Sequence, residues 1–299
     1  MNVLVTGDLT KNEKAMQSLE KLGHTLVKMT SEKDGMPVAY DEVEGVICNG
    51  LFLYHDIEKF KNLKYIQLTS AGFDRVPMDY VTKNNIAIHN ARGVYSIPMA
   101  EIAVCGVLQL YKMSKFFMNN QTLHKWEKHR GLLELSGKTV CILGCGSAGA
   151  ECAKRFKAFD CRVIGVDVVT REDESFEKIV TLDKIDEVLS TADIIILTLP
   201  LTDQTRGMFD SKKLSCMKKG AVFVNIARGA IVDQVALIDA LKDHLFGAVL
   251  DVFEEEPLGE NSPLWDMENV IVTPHNSFVG ELVGERLFDV ILKNIERIE

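Results

Sequence analysis

Residues 139–167 read TVCILGCGSAGAECAKRFKAFDCRVIGVD. An apolar, β-branched run from Thr139 to Leu143 leads into a cluster of glycines, and an amphipathic pattern follows from Gly149. A second β-branched run then ends in Asp167. Gly144, Gly146 and Gly149 stand in G-x-G-x-x-G spacing. That spacing is common by itself; a strand before it and a helix after it give it meaning. Gly144 permits a tight turn, Gly146 lets backbone approach a pyrophosphate, and Gly149 lets helix and strand pack closely. The diphosphate would rest on N–H groups at the positive end of the helix. Asp167, eighteen residues after Gly149, is placed to accept bonds from adenosine ribose hydroxyls, and its charge repels a 2′-phosphate. NAD (as NADH or NAD+) is therefore the expected cofactor and NADP the less favoured one. Arg171, four residues further on, softens that preference.

Outward from this stretch the chain keeps one rhythm. Downstream come KIVTL, DIIILTL, AVFVNI, FGAVLDV and VIVTP, each separated from the next by loop or helical patterns. Upstream come NVLVT, TLVKM, GVICN, YIQLT and IAIHN, with helix-like pieces such as EKAMQSLEKLG, where Gly23 is a natural stop. Strands alternating with helices predict α/β architecture: two Rossmann-like, doubly wound parallel sheets, the first flavodoxin-like. Pro98 opens a long apolar segment, MAEIAVCGVLQLYKMSKFF, read as one helix leaving the first domain. The polar NNQTLHKWEKHRGLLELSG after it reads as a linker. A final amphipathic helix, ERLFDVILKNIERI, must dock somewhere, and the first domain is its expected host. The expected division is 1–97 plus 277–299 as a discontinuous substrate-binding domain, and 98–276 as the dinucleotide-binding domain.

A chain of 299 residues, 46% hydrophobic and 26% charged, buries a large core unaided. Its net charge of -9 argues against a nucleic-acid surface. The seven cysteines are scattered, with no zinc pattern, and read as reduced thiols; no metal is expected. MNVLVTGDLT lacks a basic segment with an apolar core, and no apolar run is long enough to span a bilayer, so a cytoplasmic location is expected. The short tail after His275 leads us to expect no added regulatory domain.

In doubly wound sheets the ligand lies at the carboxyl ends of the strands. FVNIARGA ends a strand with Arg228, a permanent cation, beside a glycine. FGAVLDVFEEEP brings Asp251 and then Glu254, Glu255 and Glu256, and VIVTPHNS brings His275. Alone, each has an ordinary explanation: a capping arginine, a solvated acidic loop, a loop histidine. Together at successive strand ends they form a reaction set suited to hydride transfer to a 2-oxo acid. Arg228 would fork onto the substrate carboxylate. His275 would give a proton to the ketone oxygen, or take it in the reverse direction. One of the three glutamates would hold the ring.

At this point the sequence resembles the D-isomer-specific 2-hydroxyacid dehydrogenases. ELSGKTVCILGCGSAG, ADIIILTLPLTDQTRGMF, MKKGAVFVNIARGAIVDQVALIDAL, GAVLDVFEEEPL, SPLWDMENVIVTPH and, earlier, LTSAGFDRV with NARGVYSIPMAE carry the likeness from about Leu68 to His275. The resemblance implies Arg228, Glu256 and His275 as the catalytic trio, Glu256 being selected by its distance from Asp251. It implies that Asp251 bonds the nicotinamide carboxamide. It further implies that Ser147, Ala148, Leu199, Pro200, Thr205, Ile226 and Ala227 line the cofactor. Ser70, Ala71 and Gly72 would hold the substrate carboxylate by backbone N–H groups, while Leu51 and Phe52 shape the pocket, in a cleft between the domains. A homodimer with the helix after Pro98 at its interface is also implied.

Ala148, Ser277, Phe278 and Gly280 depart from the family pattern and bear on substrate choice rather than reaction type. A phosphorylated substrate would want further cations, for which Arg75 and Arg92 are candidates. The competing readings are an NAD(H)-sensing binding protein on the same fold, and a dehydrogenase of formate or phosphite.

Overall fold

The computed structural model describes residues 1–298. By its internal contacts the chain divides into two units: Met1–Val94 with the chain from Gly280 onward, and Tyr95–Val279. The first unit opens with β1 (Asn2–Thr6), α1 (Glu13–Lys21), β2 (Thr25–Met29), β3 (Gly45–Cys48), β4 (Tyr65–Leu68), α2 (Met78–Lys83) and β5 (Ala87–His89). The strands pair in parallel in the order β2-β1-β3-β4-β5. β3 and β4 are buried along their whole length, on both faces of the sheet. That is why GVIC and YIQL read as continuous runs and not as alternating ones. The edge strand β2 exposes Thr25 and Lys28 instead. The Asn12 side chain caps α1 by accepting from the Ala15 N–H at 3.0 Å. Gly23, at φ 83°, ends the turn after it, as its position predicts.

The second unit begins with α3 (Ser96–Tyr111) and α4 (Ser114–Thr122). It continues through β6 (Thr139–Leu143), α5 (Ser147–Lys157), β7 (Arg162–Asp167), β8 (Lys178–Thr181), α6 (Ile185–Leu189) and β9 (Ile194–Leu197). α7 (Ser211–Ser215), β10 (Val222–Asn225), α8 (Gln234–Asp243), β11 (Gly247–Leu250) and β12 (Val270–Val272) complete it. All seven strands are parallel, in the order β12-β11-β10-β9-β6-β7-β8. The chain reverses direction across the sheet between β6 and β9, which makes their carboxyl ends the crevice of the fold. Alternation fills both faces: Cys141, Leu143, Ile195, Leu197 and Phe223 enter one core, Val140, Ile142, Ile194, Ile196 and Val224 the other. Each large apolar side chain so buried contributes roughly 1.5–3 kcal/mol.

Three readings of the sequence need correction here. The apolar run from Pro98 is not one helix: Met113 adopts φ 52° and separates α3 from α4. The redirected chain lets the Lys115 ammonium donate to the carbonyls of Met267 at 3.0 Å and Val270 at 2.6 Å. Residues 119–122, read as the start of a linker, are the end of α4. Nor does α3 leave the first unit; it lies wholly in the second, with Ala100, Ala103, Val107 and Leu110 in that unit's core. Its Gly106 meets the sheet so closely that a Cβ there would lie 2.5 Å from a Val249 methyl.

After β12 the chain ends in α9 (Val283–Ile295), which belongs to the first unit. Ile291 and Ile295 pack with Val3, Val5, Ala15, Leu19, Ile47 and Tyr65. Asn294 donates to the Gln67 amide oxygen at 3.0 Å. No helix among the described residues is long and apolar enough to cross a membrane.

Candidate active site

β6 delivers the chain to Gly144 at φ 90°, where a Cβ would lie 2.9 Å from the Leu199 nitrogen. At Gly149 a Cβ would lie 2.0 Å from the Gly144 carbonyl oxygen. These glycines are demanded by the protein's own packing. Gly146 is different: a Cβ there would meet nothing within 4 Å. Its open space faces the start of α5, whose first helical bond runs from the Ala150 N–H to the Gly146 carbonyl at 2.9 Å. A cradle closed beneath and open above, at a helix N-terminus, fits a dinucleotide diphosphate. The Thr198 hydroxyl ties β9 to this turn by donating to the Gly144 carbonyl at 2.6 Å.

Asp167 ends β7 with its carboxylate on the same turn. It accepts from the Cys145 N–H at 2.9 Å and from the Val168 N–H at 2.7 Å. The Arg171 guanidinium lies 3.5 Å from it and donates to the Cys145 carbonyl. Ser147 and Ala148 form the first turn of α5. Leu199, Ile226 and Ala227 have buried side chains and offer backbone at the strand ends. Pro200 is exposed, and its carbonyl accepts from the buried Thr205 hydroxyl at 2.7 Å, which folds the LTDQT turn.

At the end of β10, Asn225 closes the turn that carries Arg228. Its side chain accepts from the Ala227 N–H at 3.1 Å and donates to the Arg228 carbonyl at 3.0 Å. The Arg228 guanidinium donates to the Ala227 carbonyl at 2.8 Å. Gly229 explains its own presence: a Cβ there would lie 1.9 Å from the Phe253 carbonyl. The arginine loop is thus seated directly on backbone that follows β11.

That same backbone holds the carboxylate. Glu256 accepts from the Phe253 N–H at 3.1 Å with one oxygen and bonds the His275 Nδ1 at 2.7 Å with the other. All three neighbouring glutamates are exposed, and it is Glu256 whose carboxylate reaches the imidazole. A carboxylate can only accept, so Nδ1 carries the proton and Nε2 is the nitrogen left for a substrate oxygen. His275 sits at φ 49° with its N–H on the Asp251 carbonyl at 2.8 Å. The Asp251 carboxylate is fully buried. It accepts from the Thr273 hydroxyl at 2.6 Å, the Asn276 N–H at 2.7 Å and the Ser277 N–H at 3.0 Å. It clamps the loop that carries the histidine, a duty its position in the sequence does not announce.

In the first unit, Ser70, Ala71 and Gly72 follow β4. The Ser70 carbonyl accepts from the Ala91 N–H at 2.9 Å and the Ala71 carbonyl from Asn90 at 2.6 Å. Among the described residues no acceptor takes the Ala71 and Gly72 N–H groups. Leu51 is fully buried in the unit's own core, so it shapes its loop from beneath. Phe52 packs edge-on against Phe60 with centroids 5.9 Å apart, and Leu53 and Tyr54 are the exposed side chains of the loop. Glu32, which no motif singles out, pins this loop by accepting from the N–H groups of Asn49 at 2.7 Å and Gly50 at 2.8 Å.

Residues 104–277 match the family described as D-isomer specific 2-hydroxyacid dehydrogenase, NAD binding domain. The chain is 32% identical over 303 residues to D-3-phosphoglycerate dehydrogenase of Methanocaldococcus jannaschii, a match spanning 100% of this chain and 57% of that protein. It is 34% identical over 242 residues to glyoxylate reductase of Thermofilum pendens, covering 78% of this chain and 71% of the relative. Among solved structures, D-lactate dehydrogenase from Aquifex aeolicus, complexed with NAD and lactic acid, superposes with a TM-score of 0.83 at 28% identity, over 99% of this chain and 95% of that one. The chain belongs to the D-isomer specific 2-hydroxyacid dehydrogenase family and carries that family's NAD-binding domain.

Proposed function

We propose that the protein interconverts a small D-2-hydroxy acid and its 2-oxo acid with NAD(H), using Arg228, Glu256 and His275. The observation that carries this reading is the 2.7 Å imidazole–carboxylate pair of His275 and Glu256, on the strand end beside the Arg228 loop. Arg228 binds the substrate carboxylate through its planar fork. Bound NADH supplies the hydride that reaches the ketone carbon. His275, protonated on both nitrogens with its Nδ1–H held by Glu256, gives its Nε2 proton to the ketone oxygen as negative charge develops there. In the reverse direction the neutral imidazole takes that proton back.

The cofactor is held by the Gly144–Gly149 turn, Asp167, and backbone at Leu199, Pro200, Ile226 and Ala227. Thr205 shapes that wall and Asp251 takes the carboxamide while clamping its loop. Asp167 selects NAD(H) over NADP(H) by charge. The test is absorbance of NADH with a panel containing glyoxylate, pyruvate, hydroxypyruvate and bulkier 2-oxo acids. Turnover that disappears in Arg228→Ala and His275→Ala is expected. Tight NADH binding with no turnover on any of them would instead mark a nucleotide sensor, which needs none of the three side chains.

The active form is a cytoplasmic homodimer in this reading. The support is an exposed apolar patch at α4 and just after it: Trp126 is 96% exposed and Met118 67%. A second copy would cover such a surface. Sedimentation of the native protein against Trp126→Ala tests it, a native monomer being the contrary result.

A further inference from the structure

We propose that Phe278, backed by Tyr95, is a positioning residue that sets the plane of the His275 imidazole. The inference rests on the hydride-transfer reading of the site. A hydrogen bond fixes a line, not a plane. The Nδ1 bond to Glu256 at 2.7 Å anchors one corner of the ring. The bond restrains the turn of the ring about Cβ–Cγ without fixing it tightly, because that terminal torsion of histidine is broad. A second contact is needed to aim Nε2. Phe278 provides it: the two ring centroids lie 6.1 Å apart with an interplanar angle of 80°, an edge-to-face pair.

Phe278 is itself held from two sides. Tyr95, just before α3, packs edge-to-face against it at 5.9 Å and 89°. The backbone beneath is fixed by the buried Asp251 carboxylate, which accepts from the Ser277 N–H at 3.0 Å and 3.1 Å. The arrangement also accounts for a side chain that is otherwise misplaced. Phe278 is 43% exposed, where burial gives an aromatic ring little reason to be. Its ring serves the imidazole more than it serves the core.

The experiment compares Phe278→Ala, Phe278→Leu and Phe278→Tyr in the full chain, with NADH and glyoxylate or pyruvate. Leucine restores bulk without a flat face; tyrosine keeps the face. The alanine and leucine variants are expected to lose about tenfold in kcat with KM for both substrates within about twofold, as misaimed proton transfer predicts. The tyrosine variant is expected to stay within about twofold of the native protein. An unchanged kcat in Phe278→Ala overturns the inference, as does equal behaviour of the leucine and tyrosine variants. Proton NMR of the His275 Nδ1–H reads the ring directly, without turnover. A resonance sharp in the native protein and Phe278→Tyr but broadened in Phe278→Ala supports the positioning role; equal sharpness in all three overturns it. If the native protein turns over no 2-oxo acid, the dehydrogenase reading fails while the NMR result still decides this one.

Discussion

The carboxyl edges of the two sheets are built in opposite ways. The second unit ends its strands in side chains with chemistry of their own: Arg228 after β10, Glu256 after β11, His275 after β12. The loops after β3 and β4 in the first unit carry no such trio: Leu51 is buried in the core, and among the described residues no acceptor takes the Ala71 and Gly72 N–H groups. Side-chain chemistry is written in residue type. Backbone chemistry is not, because every residue but proline carries the same N–H.

The largest effect that would break this contrast lies at His275. His275→Ala is expected to lower kcat by about 10²–10⁴ while NADH still binds, measured by stopped-flow absorbance and by NADH fluorescence. Near-native turnover would remove side-chain chemistry from the second unit. A smaller but clear effect divides its glycines. Gly229→Ala places a Cβ 1.9 Å from the Phe253 carbonyl, and should cost about 3 kcal/mol or more in a thermal or urea melt. Gly146→Ala meets nothing within 4 Å; its melt should match the native one while NADH affinity falls about tenfold or more. Equal melting losses in the two variants would contradict the distinction between a packed glycine and a ligand-facing one.

The opposite edge of the second sheet supplies a further comparison. There Asp193 accepts from the Lys218 ammonium at 2.7 Å and from the Thr139 N–H at 2.9 Å. Burial, the largest single influence, raises its carboxyl, but Lys218 and the Thr139 amide together outweigh it and leave it below the usual range. A depressed carboxylate stabilises the fold above its unfolded pKa, and that contribution is lost as pH falls through the folded value. Asp193→Asn should therefore cost about 1 kcal/mol near pH 7. The gap from the native protein should close below about pH 4 in melts run across pH. A gap independent of pH would mean the carboxylate's charge is not what matters. The smallest effect belongs to the first unit. Ser70→Ala keeps every backbone N–H and should change kcat/KM by about twofold or less; a large loss would move side-chain chemistry into that loop.

The same contrast explains what could be read in advance. Strands buried on both faces leave uninterrupted apolar runs, so GVIC and DIIIL declare themselves. The glycine turn and Asp167 are legible because each has a steric or electrostatic requirement that few residues meet. The residues alone left three adjacent glutamates in contention, since the choice depends on how the loop after β11 folds back to place one carboxylate on His275. The Asp251 clamp and the Glu32 pin join residues more than fifteen positions apart through loop amides, and nothing local records them. The break at Met113 has no glycine or proline to mark it; the carbonyls that Lys115 reaches lie about 150 residues later.

The docking of α9 on β1, β3 and α1 sets an order on the making of the protein. As the chain leaves the ribosome, the first sheet is synthesised before any of Tyr95–Val279, yet Val3, Val5, Ile47 and Tyr65 wait for Ile291 and Ile295. The unit that is translated first can therefore complete this core only after Ile291 and Ile295 have been made. Until then that apolar face is uncovered, the kind of transiently exposed surface that invites aggregation.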